Sequence, residues 1–205
     1  MLLPNNLGLI GSALGLGFLA GLRLYATVLA LGLAVHFHLL HLRPGMEGLE
    51  VLADWRVLAI ASVAFLAEFF ADKIPYLDTA WDAIHTFIRP VGAAVLAATA
   101  LNGMDPVLRT SLAILTGGVA LTSHSGKAAT RALVNHSPEP FSNLALSFAE
   151  DAAVPAGIWL ATAHPLVTLF VVIVLVFLTL FFVRAAVRAL RASFGAVRRV
   201  FSGAA

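Results

Sequence analysis

From Leu166 to Val183 the chain runs through eighteen residues without one charged side chain. A helix of that length and apolarity nearly spans a hydrocarbon core of about 30 Å. In that solvent every backbone polar group must be paired inside the segment, which leaves helices or closed barrels as the only spanning folds. The other residues share the character: the 205-residue chain is 60% hydrophobic and 12% charged, with a mean hydropathy of +0.93. Soluble domains carry about 25% charged residues. The sequence therefore reads as an all-α polytopic membrane bundle of about six hydrophobic segments, a single membrane domain over residues 1–205.

The segments divide into a first half, 7–101, and a second half, 107–183, followed by a basic tail, 184–205. The run from Leu7 to about Leu40 would be about 50 Å long as one helix, too long for one crossing, so it must break, tilt or protrude. Gly21-Leu-Arg23-Leu-Tyr25 is the expected break, because it puts a cation and a phenol in mid-run. Upstream, Gly11, Gly15, Gly17 and Gly21 form small-xxx-small pairs that let another helix approach, either within the chain or in a homo-oligomer. Residues 41–56 read as an extramembrane loop with short helical character. Val57–Phe70, Val91–Leu101, Val107–Thr122 and Ala152–Ala163 follow as shorter spans, and Leu166–Val183 is the last. Several are only 11 to 14 residues long, the pattern of broken or re-entrant helices around a central site. Pro90-Val-Gly92 before Ala98-Thr-Ala100 resembles Pro155-Ala-Gly157 before Ala161-Thr-Ala163, which would pair the halves as a weak, inverted repeat. Gly126-Lys-Ala-Ala-Thr-Arg131 would be the second-half counterpart of the break at Arg23.

Between the spans lie two stretches dense in charge and proline. The first contains Glu68, Asp72, Lys73, Asp78, Asp82, His85 and Arg89; the second contains His124, Lys127, Arg131, Asn135, Glu139, Asn143, Ser147, Glu150 and Asp151. Ionisable groups at bilayer depth are costly, so these residues, with Arg23 and Tyr25, form the candidate substrate or ion pathway. On a helix, Asp78, Asp82, His85 and Arg89 fall at i, i+4, i+7 and i+11, one face, with Trp81, Ile84 and Ile88 on the other. That face suits a polar cavity or simple contact with water. Ser142 or Asn143 would cap a new helix carrying Asn143, Ser147 and Glu150 or Asp151. The chain has eleven arginines and two lysines, and both lysines, Lys73 and Lys127, fall in the polar stretches. An ammonium is compact and can lose its proton, which a guanidinium cannot.

The absence of cysteine removes disulfides, thiolate nucleophiles and thiolate metal sites. No Gly-x-Ser-x-Gly, His-Glu-x-x-His or phosphate-cradling loop occurs, so support for an enzyme is thin. His36, His38 and His41 read as interfacial histidines. Asp78, Asp82 and His85 are candidate ligands for a hard divalent cation; no other cofactor, and no nucleic acid partner, is expected. Five arginines, Arg184, Arg188, Arg191, Arg198 and Arg199, follow the last span, which predicts a cytoplasmic C-terminus in a bacterial inner membrane. The first 22 residues carry no charge, so a signal peptide with a basic start is not expected.

Three motifs carry a family resemblance: Ala71-Asp-Lys-Ile-Pro-Tyr-Leu-Asp78, Trp81-Asp-Ala-Ile-His-Thr-Phe-Ile-Arg-Pro90, and Lys127-Ala-Ala-Thr-Arg-Ala-Leu-Val-Asn-His-Ser-Pro-Glu-Pro-Phe-Ser-Asn143 followed by Glu150-Asp151. With them the chain resembles the bacterial and plastid multi-pass membrane proteins grouped as domain of unknown function 4126, from Gly11 to about Leu180. The resemblance implies membership without an activity. Function is therefore expected from the residues: a small transporter or permease-like protein for a polar or anionic solute, coupled to protons or cations through the carboxylates. The alternatives are a metal-dependent enzyme acting on a lipid or lipid-linked phosphate, and a non-catalytic membrane scaffold.

Overall fold

Proline marks where three helices begin. Its missing N–H costs nothing in a first turn, and its fixed φ is already helical. Pro106, Pro140 and Pro165 each open one, and Asp105 caps the first by accepting from the backbone N–H groups of Val107 (3.0 Å) and Leu108 (3.1 Å). The computed structural model describes residues 3–74, 77–134 and 140–202. The described residues form α1 (Leu3–Leu22), α2 (Leu24–His36), a 3-10 helix (Glu47–Ala53), α3 (Trp55–Ala71), α4 (Leu77–Ala100), α5 (Pro106–Val134), α6 (Pro140–Ala163) and α7 (Pro165–Ser202), with no strand among them. Three stretches are long and apolar enough to cross a membrane, Ala80–Ala100, Leu144–Ala163 and Pro165–Arg188, and Asn6–Leu22 and Leu24–His36 are shorter apolar helices. The protein is a membrane protein built as a helical bundle.

The break expected in the first apolar run is present and occupies one residue, Arg23, whose backbone is extended (φ −147°, ψ 86°) between α1 and α2. The other expected interruptions are not. Residues 78–90 belong to α4, 123–131 to α5 and 144–151 to α6, so the described parts of the polar stretches continue long helices instead of forming re-entrant loops. Pro90 and Pro155 lie inside α4 and α6. Membrane helices tolerate an internal proline where neighbours close over the freed backbone. α5 packs closely at Pro90, where a Cβ added at Gly117 would sit 3.0 Å from the proline carbonyl. The helix carrying Ser147 and Glu150 starts at Pro140, not at a Ser142 or Asn143 cap. Gly126–Arg131 forms no counterpart to the Arg23 break, since α5 runs through it. The two Pro-x-Gly segments pack on either side of that break: Gly92 faces Leu24 and Gly157 faces Leu19.

α1 is the hub. From Gly11 to Gly21 it is buried on every side, against α4, α5, α6 and α7, as an all-apolar helix must be. Its glycines are what allow this. A Cβ at Gly11 would strike the Pro165 carbonyl of α7, one at Gly21 the Ser123 hydroxyl and the Ala120 backbone of α5, and Gly15 and Gly17 are filled by Thr168 and Thr116. The face expected to serve a homo-oligomer is thus occupied by the chain's own helices. α7 is the reverse case, presenting Phe170, Phe177 and Phe181 outward, where lipid is the solvent.

The loop from 41 to 56 contains the 3-10 helix, and α3 starts at its end. Asp54 caps α3 by accepting from the Arg56 N–H at 2.8 Å, and the Arg56 guanidinium grips the same carboxylate at 2.9 Å. Those hydrogen bonds, the side-chain ones foremost, pull its pKa down to about 2. A carboxyl lowered by folding contributes stability that is complete above its unfolded pKa of about 3.9 and is lost as pH falls through the folded value. The cap is therefore expected to persist at pH 4 and to fail between about pH 4 and 2. Amide exchange at the start of α3 should rise over that window in the native chain and be flat in Asp54→Ala.

Candidate functional site

α4 explains how a polar stretch can be a membrane helix. Asp78, Asp82, His85 and Arg89 do share one face, and all four are buried. The opposite face exposes Ile84, Phe87 and Val91. The charges point into the bundle and the apolar side chains point out, so the face is not one that meets water. Trp81 departs from the expectation that it lies opposite: it stacks on His85 with ring centroids 4.4 Å apart.

The break at Arg23 organises everything else. Ending α1 at Leu22 leaves its last carbonyls without intrahelical donors, at the negative end of the helix dipole. Cations fill the gap: Lys127 donates to the Leu22 carbonyl at 3.3 Å and Arg89 approaches that of Gly21 at 3.5 Å. The Ser123 hydroxyl donates to the Phe18 carbonyl at 2.9 Å one turn earlier.

Around this end the two polar stretches converge. Asp72, the residue that ends α3, is fully buried, and its Oδ2 pairs with Arg23, with Lys127 at 2.9 Å and with Arg131 at 3.4 Å. Arg131 also reaches Asp78 at 3.4 Å and Glu150 at 3.2 Å, and donates to the Ser147 hydroxyl (3.1 Å) and the Asp72 carbonyl (3.0 Å). Glu150 completes the group by meeting Lys127 at 3.3 Å and Arg23 at 3.4 Å. Arg23 donates to the Ser147 carbonyl at 3.0 Å and approaches Asp151 at 3.1 Å. A second focus lies on α4, where Arg89 pairs with Glu68 at 2.9 Å and Asp82 at 3.2 Å. Asp82 and Lys127, 3.8 Å apart, link the two foci.

His124 and His85 join through tautomers that their partners dictate. Arg89 has only donors, so the Nδ1 of His124, 2.6 Å away, must accept. Its Nε2–H then donates to the Asp82 carbonyl at 3.0 Å and the Thr86 hydroxyl at 3.1 Å, and the ring is neutral. The Nδ1–H of His85 donates to the Trp81 carbonyl at 2.8 Å, and its Nε2 lies in hydrogen-bond contact with the Tyr25 hydroxyl at 3.2 Å. Thr86, which the sequence reading passed over, lies one turn after Asp82, and that spacing is the signal for it. The Gly21 and Leu22 carbonyls carry no sequence signal beyond the break itself.

Lys73 stands apart, at the rim. Its ammonium lies 3.1 Å from the centre of the Phe69 ring and 4.9 Å from that of Phe148, with Asp151 at 3.8 Å. The three candidate metal ligands do not converge: Asp78 meets Arg131, Asp82 meets Arg89 and Lys127, and His85 meets Trp81 and Tyr25. Among the described residues no group of three His, Cys, Asp or Glu side chains is arranged to hold a metal, His36, His38 and His41 included. Asn135 and Glu139 lie outside the described residues, as does the side chain of Asn143.

The described part of the site thus unites five cations, Arg23, Lys73, Arg89, Lys127 and Arg131, with six carboxylates, Glu68, Asp72, Asp78, Asp82, Glu150 and Asp151. Isolated, each buried ion would cost several kcal/mol, so only mutual pairing makes the cluster tolerable. Several carboxylate oxygens still have no hydrogen-bond donor: Glu68 Oε2, Asp72 Oδ1 and both oxygens of Asp82 and Asp151. For Asp82 and Asp151 the cations are near enough for Coulomb attraction but out of line for a hydrogen bond. The family model described as "Domain of unknown function (DUF4126)" matches residues 10–185. No curated protein and no solved structure matches the chain.

Proposed function

Because the chain belongs to this family of unknown function, whose description assigns no chemistry, we propose from the site itself that the protein is a small transporter or permease-like protein. It moves a small polar solute or ion, with protons or cations exchanged at the buried carboxylates. The observation that carries this reading is the meeting of both polar stretches at the Arg23 break, inside a bundle whose outer surface is apolar. Charge placed there at such cost is characteristic of ion and proton pathways in membranes. The half-helix end of α1, its carbonyls aimed into the cluster, is the broken-helix device that transporters use for coupling cations.

The charge balance favours a cation or proton over an anion. Lys73, Lys127 and Arg131, which would attract an anion, are each engaged by carboxylates, and the described cluster carries one more carboxylate than cations. Arg184, Arg188, Arg191, Arg198 and Arg199, at the end of the last apolar stretch and beyond it, support a cytoplasmic C-terminus in an inner membrane.

The test is flux into proteoliposomes under an imposed pH or sodium gradient. Glu150→Gln and Asp82→Asn keep the shape of each side chain and remove its charge. Each is expected to lower proton or cation movement by about tenfold, a barrier change of ~1.4 kcal/mol. Flux no greater than that of empty liposomes, or flux that neither variant alters, would overturn the proposal.

A further inference from the structure

Accessibility within the ion cluster rises in one direction. The side chains of Arg23, Asp72 and Lys127 have no exposure and that of Glu150 has 8%, whereas those of Lys73 and Asp151 reach 16% and 19%. Lys73 and Asp151 therefore form the rim. Even there, both carboxylate oxygens of Asp151 are covered. The fully buried Arg23 stands 3.1 Å from Oδ1, and the partly exposed Lys73 ammonium stands 3.8 Å from Oδ2. Of the two cations, Lys73 is the one on the solvent side.

The rim lies on a seam between α3 and α6. Among the described residues no Cα of α3 comes within 8 Å of one of α6, so side chains bridge the gap. Phe69 and Phe148 do so with ring centroids 6.5 Å apart, and Lys73 does so with Asp151. The Lys73 ammonium also sits 3.1 Å from the centre of the Phe69 ring and 4.9 Å from that of Phe148. Its hold is light. Lys127, inside the cluster, is gripped by carboxylates at 2.9 and 3.3 Å, while Lys73 meets Asp151 at 3.8 Å and donates to the Phe69 carbonyl one turn back at 3.3 Å. An ammonium on a flexible four-carbon stem can swing away from such a position, which a planar guanidinium fork is less suited to do.

We propose that Lys73 is the gate of the cluster: a tethered ammonium that covers Asp151 at the rim, and whose outward swing admits an incoming monovalent cation between α3 and α6. A cation entering there first meets the Phe69 and Phe148 faces, which attract it. It then reaches the Asp151 Oδ2 that Lys73 has vacated, with Glu150 behind. Lys73 is thus a positioning residue that controls access, not a ligand of the cation. The proposal deepens the transporter reading, on which it rests for what the admitted cation does; access to Asp151 is measured without flux.

The experiment exploits the absence of cysteine. Full-length Lys73→Cys in detergent is left unmodified, or is treated with trimethylammonioethyl methanethiosulfonate, which restores a positive charge, or with the uncharged carbon isostere of that reagent. Access is read as labelling of Asp151 by a water-soluble carbodiimide and glycinamide, followed by peptide mass spectrometry, with the buried Glu68 as internal reference. The unmodified and isostere forms are expected to label about fivefold faster than the cationic form, the weight of one partly exposed ion pair. Equal labelling in all three forms overturns the proposal. Slow labelling in both adducts overturns it too, because bulk and not charge would then close the mouth. Should Lys73→Cys fail to fold, Lys73→Met decides: faster labelling than in the native chain supports the gate, and equal labelling overturns it. Charge-dependent labelling without any proteoliposome flux would sink the transporter reading and leave the gate standing; flux by the native chain with charge-independent labelling would do the opposite.

Discussion

Asp72→Ala is expected to be the most destabilising single substitution of a charged residue in this protein, by about 3–5 kcal/mol. The magnitude follows from what remains, not from what is removed. Arg23, Lys127 and Arg131 all converge on the Asp72 carboxylate, and the side chains of Asp72, Arg23 and Lys127 are fully shielded from solvent. Without it three cations face one another with only Glu150, Asp78, Asp82 and Asp151 to offset them, in a medium that supplies no water. Unfolding followed by circular dichroism in mixed micelles measures the loss, with Asp54→Ala, an exposed cap outside the spans, as the reference. A shift no larger than that reference would show that the cluster is hydrated in solution. Asp72→Asn, which keeps the shape, is expected to be nearly as damaging, because charge and not volume holds the three cations.

The second large effect is expected at Gly21. An alanine there would drive its Cβ into the Ala120 backbone of α5, where no side-chain rotation can relieve the clash, and into the Ser123 hydroxyl. Overpacking of this kind costs about 1–3 kcal/mol or more. Because α1 must retreat from α5, Arg23, two residues on, is displaced from Asp72 and Glu150 as well. Gly21→Ala should therefore reduce both stability and proton or cation flux, whereas Gly118→Ala, with open space at its Cβ, should leave both near wild type. The double variant Gly21→Ala/Ser123→Gly tests the cause: it should recover only part of the loss, since the Ala120 backbone remains. Full recovery would mean that the hydroxyl alone sets the approach of α1 to α5.

Much of this was legible from residue order. The break at Arg23 could be foreseen because a guanidinium cannot remain in the middle of a lone apolar run. The inward face of α4 followed from the 3.6-residue period of Asp78, Asp82, His85 and Arg89. The short spans were misleading for a specific reason. Averaged hydropathy falls wherever one face of a helix is charged, so α4, α5 and α6 looked interrupted although their apolar faces run on through Ile84, Leu121 and Phe148. The glycines of α1 announced close helix contact but not with which partner; only the packed bundle assigns Gly11 to α7 and Gly21 to α5.

By itself, then, the sequence determined that the chain is an all-helical membrane protein and which residues could not be left facing lipid, because transfer of charge into hydrocarbon is too costly to be arbitrary. Which charges meet was decided by tertiary structure alone. Arg23, Asp72, Lys127, Arg131 and Glu150 come from α3, α5, α6 and the α1–α2 break, separated by up to 127 residues of chain, and no local spacing encodes their distances. They meet because each buried ion needs an opposite one, and the bundle that buries α1 on all sides leaves one place where all of them can be satisfied together.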